Sequence, residues 1–249
     1  MAQPTLQEML KAGVHFGHRA SRRHPKMDPY IFAMRNGVHI LDLEQTQRKL
    51  VEACDAARAL SKEGKIILFV GTKDSAKVIV REQAMRVHMP YVIGRWLGGT
   101  MTNYAIIGKV IQKYRGLVRM RDTGEMEQKY TKHEQAELGR EIVRLEIVVG
   151  GISDLNRLPD ALFVVDVQNE STAVREAVRK EIATFAICDT NVDPTDITYP
   201  IPANDDAVAS IRMLTTAFAD AVAEGAVERA KAMAKSEVAP EQARESAAS

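Results

Sequence analysis

The sequence predicts an α/β fold: a doubly wound, mainly parallel sheet carrying an inserted antiparallel coiled-coil helical hairpin. Three observations predict it. Short apolar runs such as "KIILFVGT" (65–72) and "DALFVVDV" (160–167) have the character of strands buried on both faces. Helical patterns follow these runs, the alternation of βαβ units whose crossovers cover a parallel sheet. Between the two halves lie two helical stripes about as narrow as a coiled-coil seam.

Taken in order, "TLQEML" after Pro4 reads as a short helix, with Thr5 as cap, Glu8 completing a capping box and Gly13 ending it. "GVHFGHRASRRHPKM" (13–27) follows as a loop that gathers His15, His18, His24, Arg19, Arg22, Arg23 and Lys26. "IFAMRNGVHILDL" (31–43) reads as a β-hairpin, because Asn36-Gly37 accepts the positive φ angles of a tight turn. Leu43, Leu50, Ala53, Cys54, Ala57 and Leu60 then recur at helical spacing, and Gly64 suits a left-handed C-terminal cap. A strand over 65–72 leads into a helix over about 74–86.

The first narrow stripe is Ile106, Ile107, Val110, Ile111, Tyr114, Leu117 and Val118, with Thr100 and Thr102 as expected caps. The second is Leu138, Ile142, Leu145 and Val149, and "RDTGEMEQ", with Gly124 at its centre, is the turn between them. Strand, helix, strand and long helix follow in "DALFVVDV", "ESTAVREAVRKEI", "TFAICDT" and "NDDAVASIRMLTTAFADAVAEG". The expected organisation is a discontinuous α/β domain, residues 1–101 and 157–228, carrying the basic arm and the β-hairpin. Residues 102–156 form the coiled-coil insertion. Residues 229–249 have few large apolar side chains to offset ordering entropy and are expected to form a flexible tail.

The formal net charge is only +1, but it is unevenly spread. Met1 to Leu50 holds eight Lys/Arg against four Asp/Glu, Arg95 to Lys132 eight against three, and Ile152 to Asp206 four against eleven. Such a chain can turn its basic stretches to phosphate and its acidic surface to solvent or protein. Cys54 and Cys188 form no CxxC pair, which fits a reducing compartment without a disulfide framework. "MAQPTLQEMLKAG" is too polar for a secretory signal, and no apolar run approaches the roughly 20 residues of a membrane span. The expectation is a soluble, cytoplasmic protein.

Enzyme and metal chemistry find little support. The spacing of His15, His18 and His24 matches no zinc motif, and cations surround them. No carboxylate or nucleophile is nominated for a catalytic histidine. "FVGTKDSAK" opens a helix after a strand but has neither GxxxxGK[ST] nor GxGxxG. Asp189, Asp193, Asp205 and Asp206 offer oxygens of the kind a divalent cation takes. Turn and cap roles account for them better: Asp193 precedes Pro194, and Asn204 or Asp205 suits the start of the long helix. No cofactor, metal ligand or catalytic residue is therefore expected. In "GRWLGGTMTN" (94–103), Trp96 either packs as a junction anchor or stacks on a base, and Arg95 offers a guanidinium to phosphate.

"MLKAGVHFGH", "HPKM", "RNGVHILDL", "ILFVGTK", "RWLGGTMTN", "LPDALFVVD", "AICDTNVDP" and "IPANDDA" follow one another along nearly the whole chain. In this order they resemble the bacterial-type family of the second small-subunit ribosomal protein. The resemblance implies a Rossmann-like or flavodoxin-like sheet with a coiled-coil insertion, no enzymatic activity, and a structural place in the small ribosomal subunit. It implies as partners ribosomal RNA and neighbouring ribosomal proteins, including the large mRNA-binding protein that the family helps retain; no membrane and no stand-alone homo-oligomer is expected. Two departures affect local geometry. Glu181-Ile182-Ala183 stands where members carry a glycine, so the turn after that helix is expected to run differently. Leu155, Asn156 and Arg157 stand at a junction where members tend to have glycines.

Under this reading the strip is an extended arm. Arg19, Arg22, Arg23 and Lys26 neutralise RNA phosphates, His18 and His24 add shorter contacts, and Gly13 and Gly17 let the backbone bend. The same role extends to Arg35, Arg95 and Trp96, and to Lys109, Lys113, Arg115 and Arg119 on the hairpin. Two alternatives compete with it. One is a protein-interaction module whose hairpin makes the main contact, with little direct RNA binding. The other is a nucleotide-dependent enzyme on the same sheet, for which no phosphate loop or acid–base constellation is found.

Overall fold

The N-terminal part builds a small antiparallel sheet against the main domain. The computed structural model describes residues 4–245, with side chains as far as residue 234. Helix α1 (Leu6–Lys11) starts at the Thr5/Glu8 capping box, and Gly13 turns the chain with φ 73°. Strand β1 (Phe16–Arg19) and two 3₁₀ turns, Ala20–Arg22 and Pro25–Tyr30, follow. Strands β2 (Ile31–Arg35) and β3 (Val38–Leu41) form the expected hairpin, with Asn36 and Gly37 at φ 50° and 75°. The order is β1-β3-β2. The basic strip is thus folded rather than an open loop. Leu41 N–H donates to His15 O at 2.8 Å and Ala20 N–H to Gly37 O at 3.0 Å, so pairing with β3 makes a strand of residues with little strand propensity.

Helix α2 (Leu43–Lys62) begins at Asp42, whose side chain accepts from the Glu44 and Gln45 N–H groups, and ends at Gly64 with φ 76°. Strand β4 (Ile67–Val70), helix α3 (Asp74–Arg86) and strand β5 (Tyr91–Val92) start the main sheet. Helices α4 (Tyr104–Asp122), α5 (Glu125–Lys129) and α6 (Lys132–Val149) lead on to β6 (Ala161–Val165), α7 (Ser171–Arg179), β7 (Ala183–Cys188), β8 (Tyr199–Pro202) and α8 (Val208–Glu245). The five-stranded sheet is parallel throughout, in the order β5-β4-β6-β7-β8. This is the flavodoxin-like doubly wound order.

Successive strand residues serve opposite layers, which is why these runs are apolar without alternation. Ile67, Phe69, Phe163, Phe185 and Ile187 face α2, α3 and α8, while Leu68, Val70, Leu162, Val164 and Ala186 face a second layer with α7 and the bases of α4 and α6. Phe218 of α8 joins the first layer, 5.8 Å from Phe69, 4.2 Å from Phe163 and 5.1 Å from Phe185 between ring centroids. Ser61 Oγ donates to Val222 O at 2.7 Å, fixing α2 on α8. Cys54 and Cys188 are buried and unbridged, and burial pushes the Cys54 thiol up to about 12.

Helices α4 and α6 lie side by side. Leu117 of α4 and Ile142 of α6 pack together with Met126 of α5, and Ile107, Ile111 and Val149 carry the contact into the second layer of the domain. Thr100 and Thr102 do not cap α4, which starts at Asn103 without a side-chain cap. A Thr131/Glu134 capping box starts α6. Helix α8 continues to Glu245; residues 246–249 of the expected tail lie outside the described residues, as do the side chains from 235 on. Among the described residues no helix is long and apolar enough to cross a membrane.

The two departures resolve differently. After α7, Glu181 adopts φ 54°, the left-handed position that favours glycine. Ile182 N–H donates to Ala177 O at 2.9 Å and Glu181 N–H to Val178 O at 3.1 Å, the two bonds of a Schellman cap. The turn therefore runs as a glycine turn would, correcting the expectation of a different path. At the other junction Leu155 is buried and its carbonyl accepts from Tyr104 Oη at 2.7 Å, tying the start of α4 to the chain that enters β6.

Candidate nucleic-acid interface

The basic strip crosses the ends of β7 and β8. His18 N–H donates to Thr190 Oγ1 at 2.9 Å and His24 N–H to Thr190 O at 2.8 Å, so one residue after β7 holds both sides of the strip. Gly17 permits the approach: a β-carbon there would lie 2.6 Å from Thr190 Cγ2 and 3.2 Å from His39 O. His18 is thereby turned inward. Its Nδ1 lies 3.0 Å from Asp189 Oδ2 and its Nε2 3.5 Å from Asp206 Oδ2. The Asp189 carboxylate raises the imidazole's pKa, against the opposing effect of burial. This ring, expected among the RNA contacts, faces carboxylates of its own chain.

The remaining cations of the strip divide into two groups. Arg23 pairs with Asp28 at 2.7 Å and Lys26 with Asp193 at 2.8 Å, while His24 Nε2 lies 4.0 Å from Asp193. Lys26 and then the Thr195 hydroxyl and N–H hold the Asp193 carboxyl well below the usual range, and its bonds to Thr195 confirm its turn role. Arg19, Arg22 and Arg35 are exposed and make no ion pair among the described residues. Arg19 on β1 and Arg35 on β2 are both registered on Val38 of β3, beside the Asn36-Gly37 turn. Cross-strand partners share a face, so these guanidiniums flank one residue on one surface of the small sheet.

At the C-terminal edge of the main sheet, where doubly wound proteins take their ligands, the chain fills the crevice itself. Lys73, in the turn after β4, reaches Asp166 at 3.0 Å, Asp205 at 3.1 Å and Asp206 at 2.6 Å. Burial works against the ammonium, but these carboxylates outweigh it and its pKa rises. Beside it, Glu170 accepts from Thr72 N–H at 2.8 Å and from the Thr72 hydroxyl. A phosphate entering this edge meets Asp166, Glu170, Asp189, Asp205 and Asp206. Burial, together with Asp166 and Asp189, pushes Asp205 up to about 7. Neither Asp205 nor Asn204 caps α8 directly, since the helix starts at Val208; Asn204 accepts from the Asp206 and Ala207 N–H groups at 2.8 Å in a turn just ahead of it.

The glycine-rich loop "GRWLGGTMTN" also turns inward. Glu176 of α7, 5% exposed, accepts from Trp96 Nε1 at 3.1 Å, Gly99 N–H at 2.7 Å, Met101 N–H at 2.9 Å, and Thr102 N–H and Oγ1 at 3.0 and 3.1 Å. Burial alone would raise this carboxyl; the backbone donors of Thr102, Gly99 and Met101 and the Trp96 indole overcome it and lower its pKa. Trp96, 9% exposed, is the junction anchor. Its N–H is committed and its ring is buried. Arg95 beside it stays exposed.

On the helix pair, Lys109 and Arg119 are exposed without an ion pair among the described residues. Lys113 bridges to Glu141 at 2.9 Å and Arg115 reaches Asn156 at 3.3 Å. The sequence reading missed Lys73, Asp166, Glu176 and Thr190. Lys73, Asp166 and Thr190 follow the ends of parallel strands, a position that marks convergence once the strand order is known. Glu176 is one polar residue in a helical pattern, and no sequence signal sets it apart.

The ligand edge of the sheet is thus closed by the chain's own side chains, and Arg19, Arg22 and Arg35 lie exposed on and beside an appended antiparallel sheet: the fold is that of a scaffold whose crevice is already filled. The chain matches the family model described as Ribosomal protein S2 over residues 9–225. It belongs to that family, which is structural and non-enzymatic. It is 48% identical over 225 residues to small ribosomal subunit protein uS2 of Coprothermobacter proteolyticus, covering 90% of this chain and 84% of that one. The uS2 protein of Fusobacterium nucleatum is 45% identical over 225 residues (90% and 91% covered). That of Chlorobaculum tepidum is 50% identical over 219 residues (88% of each chain covered).

Proposed function

We propose that this chain is a structural constituent of the small ribosomal subunit, working in the cytoplasm in translation. It binds ribosomal RNA and neighbouring ribosomal proteins, and helps retain the large mRNA-binding one. The observation that carries the reading is the placement of Arg19, Arg22 and Arg35, exposed and free of ion pairs among the described residues: Arg19 and Arg35 on a small sheet locked to the main domain by Thr190, and Arg22 in the 3₁₀ turn that follows β1. Such cations position a protein on phosphate without reading bases. Arg23, His24 and Lys26 assist after exchanging their own carboxylates for phosphate, and Arg95, Lys109, Lys113, Arg115 and Arg119 extend the surface. Residues 1–101 and 157–228 act as the α/β domain, and 102–156 as a coiled-coil hairpin inserted into it. Several weak contacts fixed on one frame gain by effective concentration.

Co-sedimentation with small subunits lacking this protein tests the proposal. The intact chain joins the particle, and changing Arg19, Arg22, Arg23 and Lys26 to alanine abolishes attachment at raised salt; equal attachment of both chains contradicts it. A second reading, in which the hairpin is mainly a protein-binding element, is favoured by the exposed apolar side chains Ile106, Val143 and Ile147. Under that reading, deleting residues 102–156 abolishes association and neutralising the arm does not.

A further inference from the structure

His18, Asp189, Asp205 and Asp206 each bring one ligand-type atom to a spot where all four atoms lie within 4.8 Å of one another. Clusters of this kind are often only salt-bridge networks, and Lys73 does pair with Asp205 Oδ1 and Asp206 Oδ1. A second observation separates this one. Asp205 is 1% exposed, and its other oxygen, Oδ2, has no hydrogen-bond partner. A buried carboxylate oxygen without a donor is costly. The charge balance agrees: among the described residues Asp166, Asp205 and Asp206 share the Lys73 ammonium, Asp189 has only His18 as an ion-pair partner, and Arg22 adds a longer-range attraction to Asp206 alone.

We propose that this pocket binds a divalent first-row transition cation of the zinc or manganese type, held by His18 Nε2, Asp205 and Asp206. Asp189 acts as the orienting partner: its Oδ2 sits 3.0 Å from His18 Nδ1 without hydrogen-bond alignment, and a rotation of the ring onto the ion completes the carboxylate–imidazole arrangement that fixes a metal-binding histidine. The 3.5 Å between His18 Nε2 and Asp206 Oδ2 is close to the roughly 3.4 Å ligand–ligand spacing that bonds of about 2.1 Å give around a tetrahedral ion. The wider span of the cluster needs side-chain closure of about 1 Å, and Asp206, with its side chain 58% exposed, has the freedom to supply it. An imidazole among the ligands favours a transition cation over magnesium or calcium, which take oxygen sets. The ion ties β1, and with it the basic strip, to the turns after β7 and β8.

The test uses the full-length protein, stripped with a chelator and equilibrated with Zn²⁺ in the presence of millimolar Mg²⁺. The expected result is one zinc per chain, a rise in thermal midpoint on zinc addition, and visible d–d absorption when Co²⁺ replaces zinc. Asp205→Asn and His18→Asn each weaken zinc binding by more than about 100-fold, since even outer partners of a metal site cost about 10–100-fold. Asp193→Asn, outside the cluster, binds as the parent does. Circular dichroism of the metal-free variants checks that they fold; if one does not, the other variant and the Co²⁺ spectrum of the parent decide. Failure of the parent to retain zinc, or unchanged binding in a folded Asp205→Asn or His18→Asn chain, overturns the proposal.

Discussion

The indole N–H of Trp96 donates to the Glu176 carboxylate at 3.1 Å, and the backbone of the same loop supplies three further donors to that side chain. One acid on α7 therefore shapes the whole passage from β5 to α4. Glu176→Gln keeps the size but replaces a charged acceptor by a group half of which is a donor. Hydrogen bonds to charged groups contribute about 1.5–3 kcal/mol, so the variant is expected to lose about 2–3 kcal/mol of stability in denaturant unfolding. Because Trp96 is the sole tryptophan, its emission shifts to the red as the ring gains water.

The same pair gives an acid transition. The Glu176 carboxyl titrates below its ordinary 4.5 in the folded chain, so its stabilising contribution is fully present above 4.5 and is lost as pH falls through the lower, folded value. Trp96 emission followed from pH 7 downward is expected to hold until below 4.5 and then shift red. Glu176→Gln removes that transition, and a parent transition above 4.5 contradicts the assignment.

Phe218 touches three other phenylalanines in the first core layer. Phe218→Ala opens a cavity that rigid strands cannot collapse around, and a loss of about 3–5 kcal/mol is expected from thermal or denaturant melts.

At the end of α7, Glu181 holds a left-handed φ of 54° and puts a negative charge at a helix C-terminus. Glu181→Gly relieves both, less the extra freedom glycine gives the unfolded chain. A gain of about 0.5–1 kcal/mol is expected in a chemical melt.

Much of this fold was legible because its signals are local. Asn36-Gly37, Gly64 and the Thr5/Glu8 box declare their turns and caps within a few residues. The buried strands β4, β6 and β7 are apolar on both faces because both faces are covered. The edge strands β5 and β8 escaped the reading. One is only Tyr91–Val92, and the other, "YPIP", carries Pro200 and Pro202, tolerated only where one side of the ladder is open. Strand β1 exists through its partner β3. The interface was legible as charge but not as geometry. Arg19 and His18 are adjacent in sequence, yet one faces solvent and the other faces Asp189, and only the register of β1 decides which.

The central claim is that unpaired cations on and beside the small sheet dock the chain on RNA. Its most direct measurement is the slope of log binding constant against log salt for small-subunit ribosomal RNA, taken for the intact chain and for the Arg19→Ala, Arg22→Ala, Arg35→Ala triple variant. Each phosphate neutralised contributes about 0.7–0.9 to that slope, so the triple variant is expected to be shallower by about 2, with weaker binding at every salt concentration. Identical slopes for the two chains would contradict the account and move the attachment to the helix pair or to a protein neighbour.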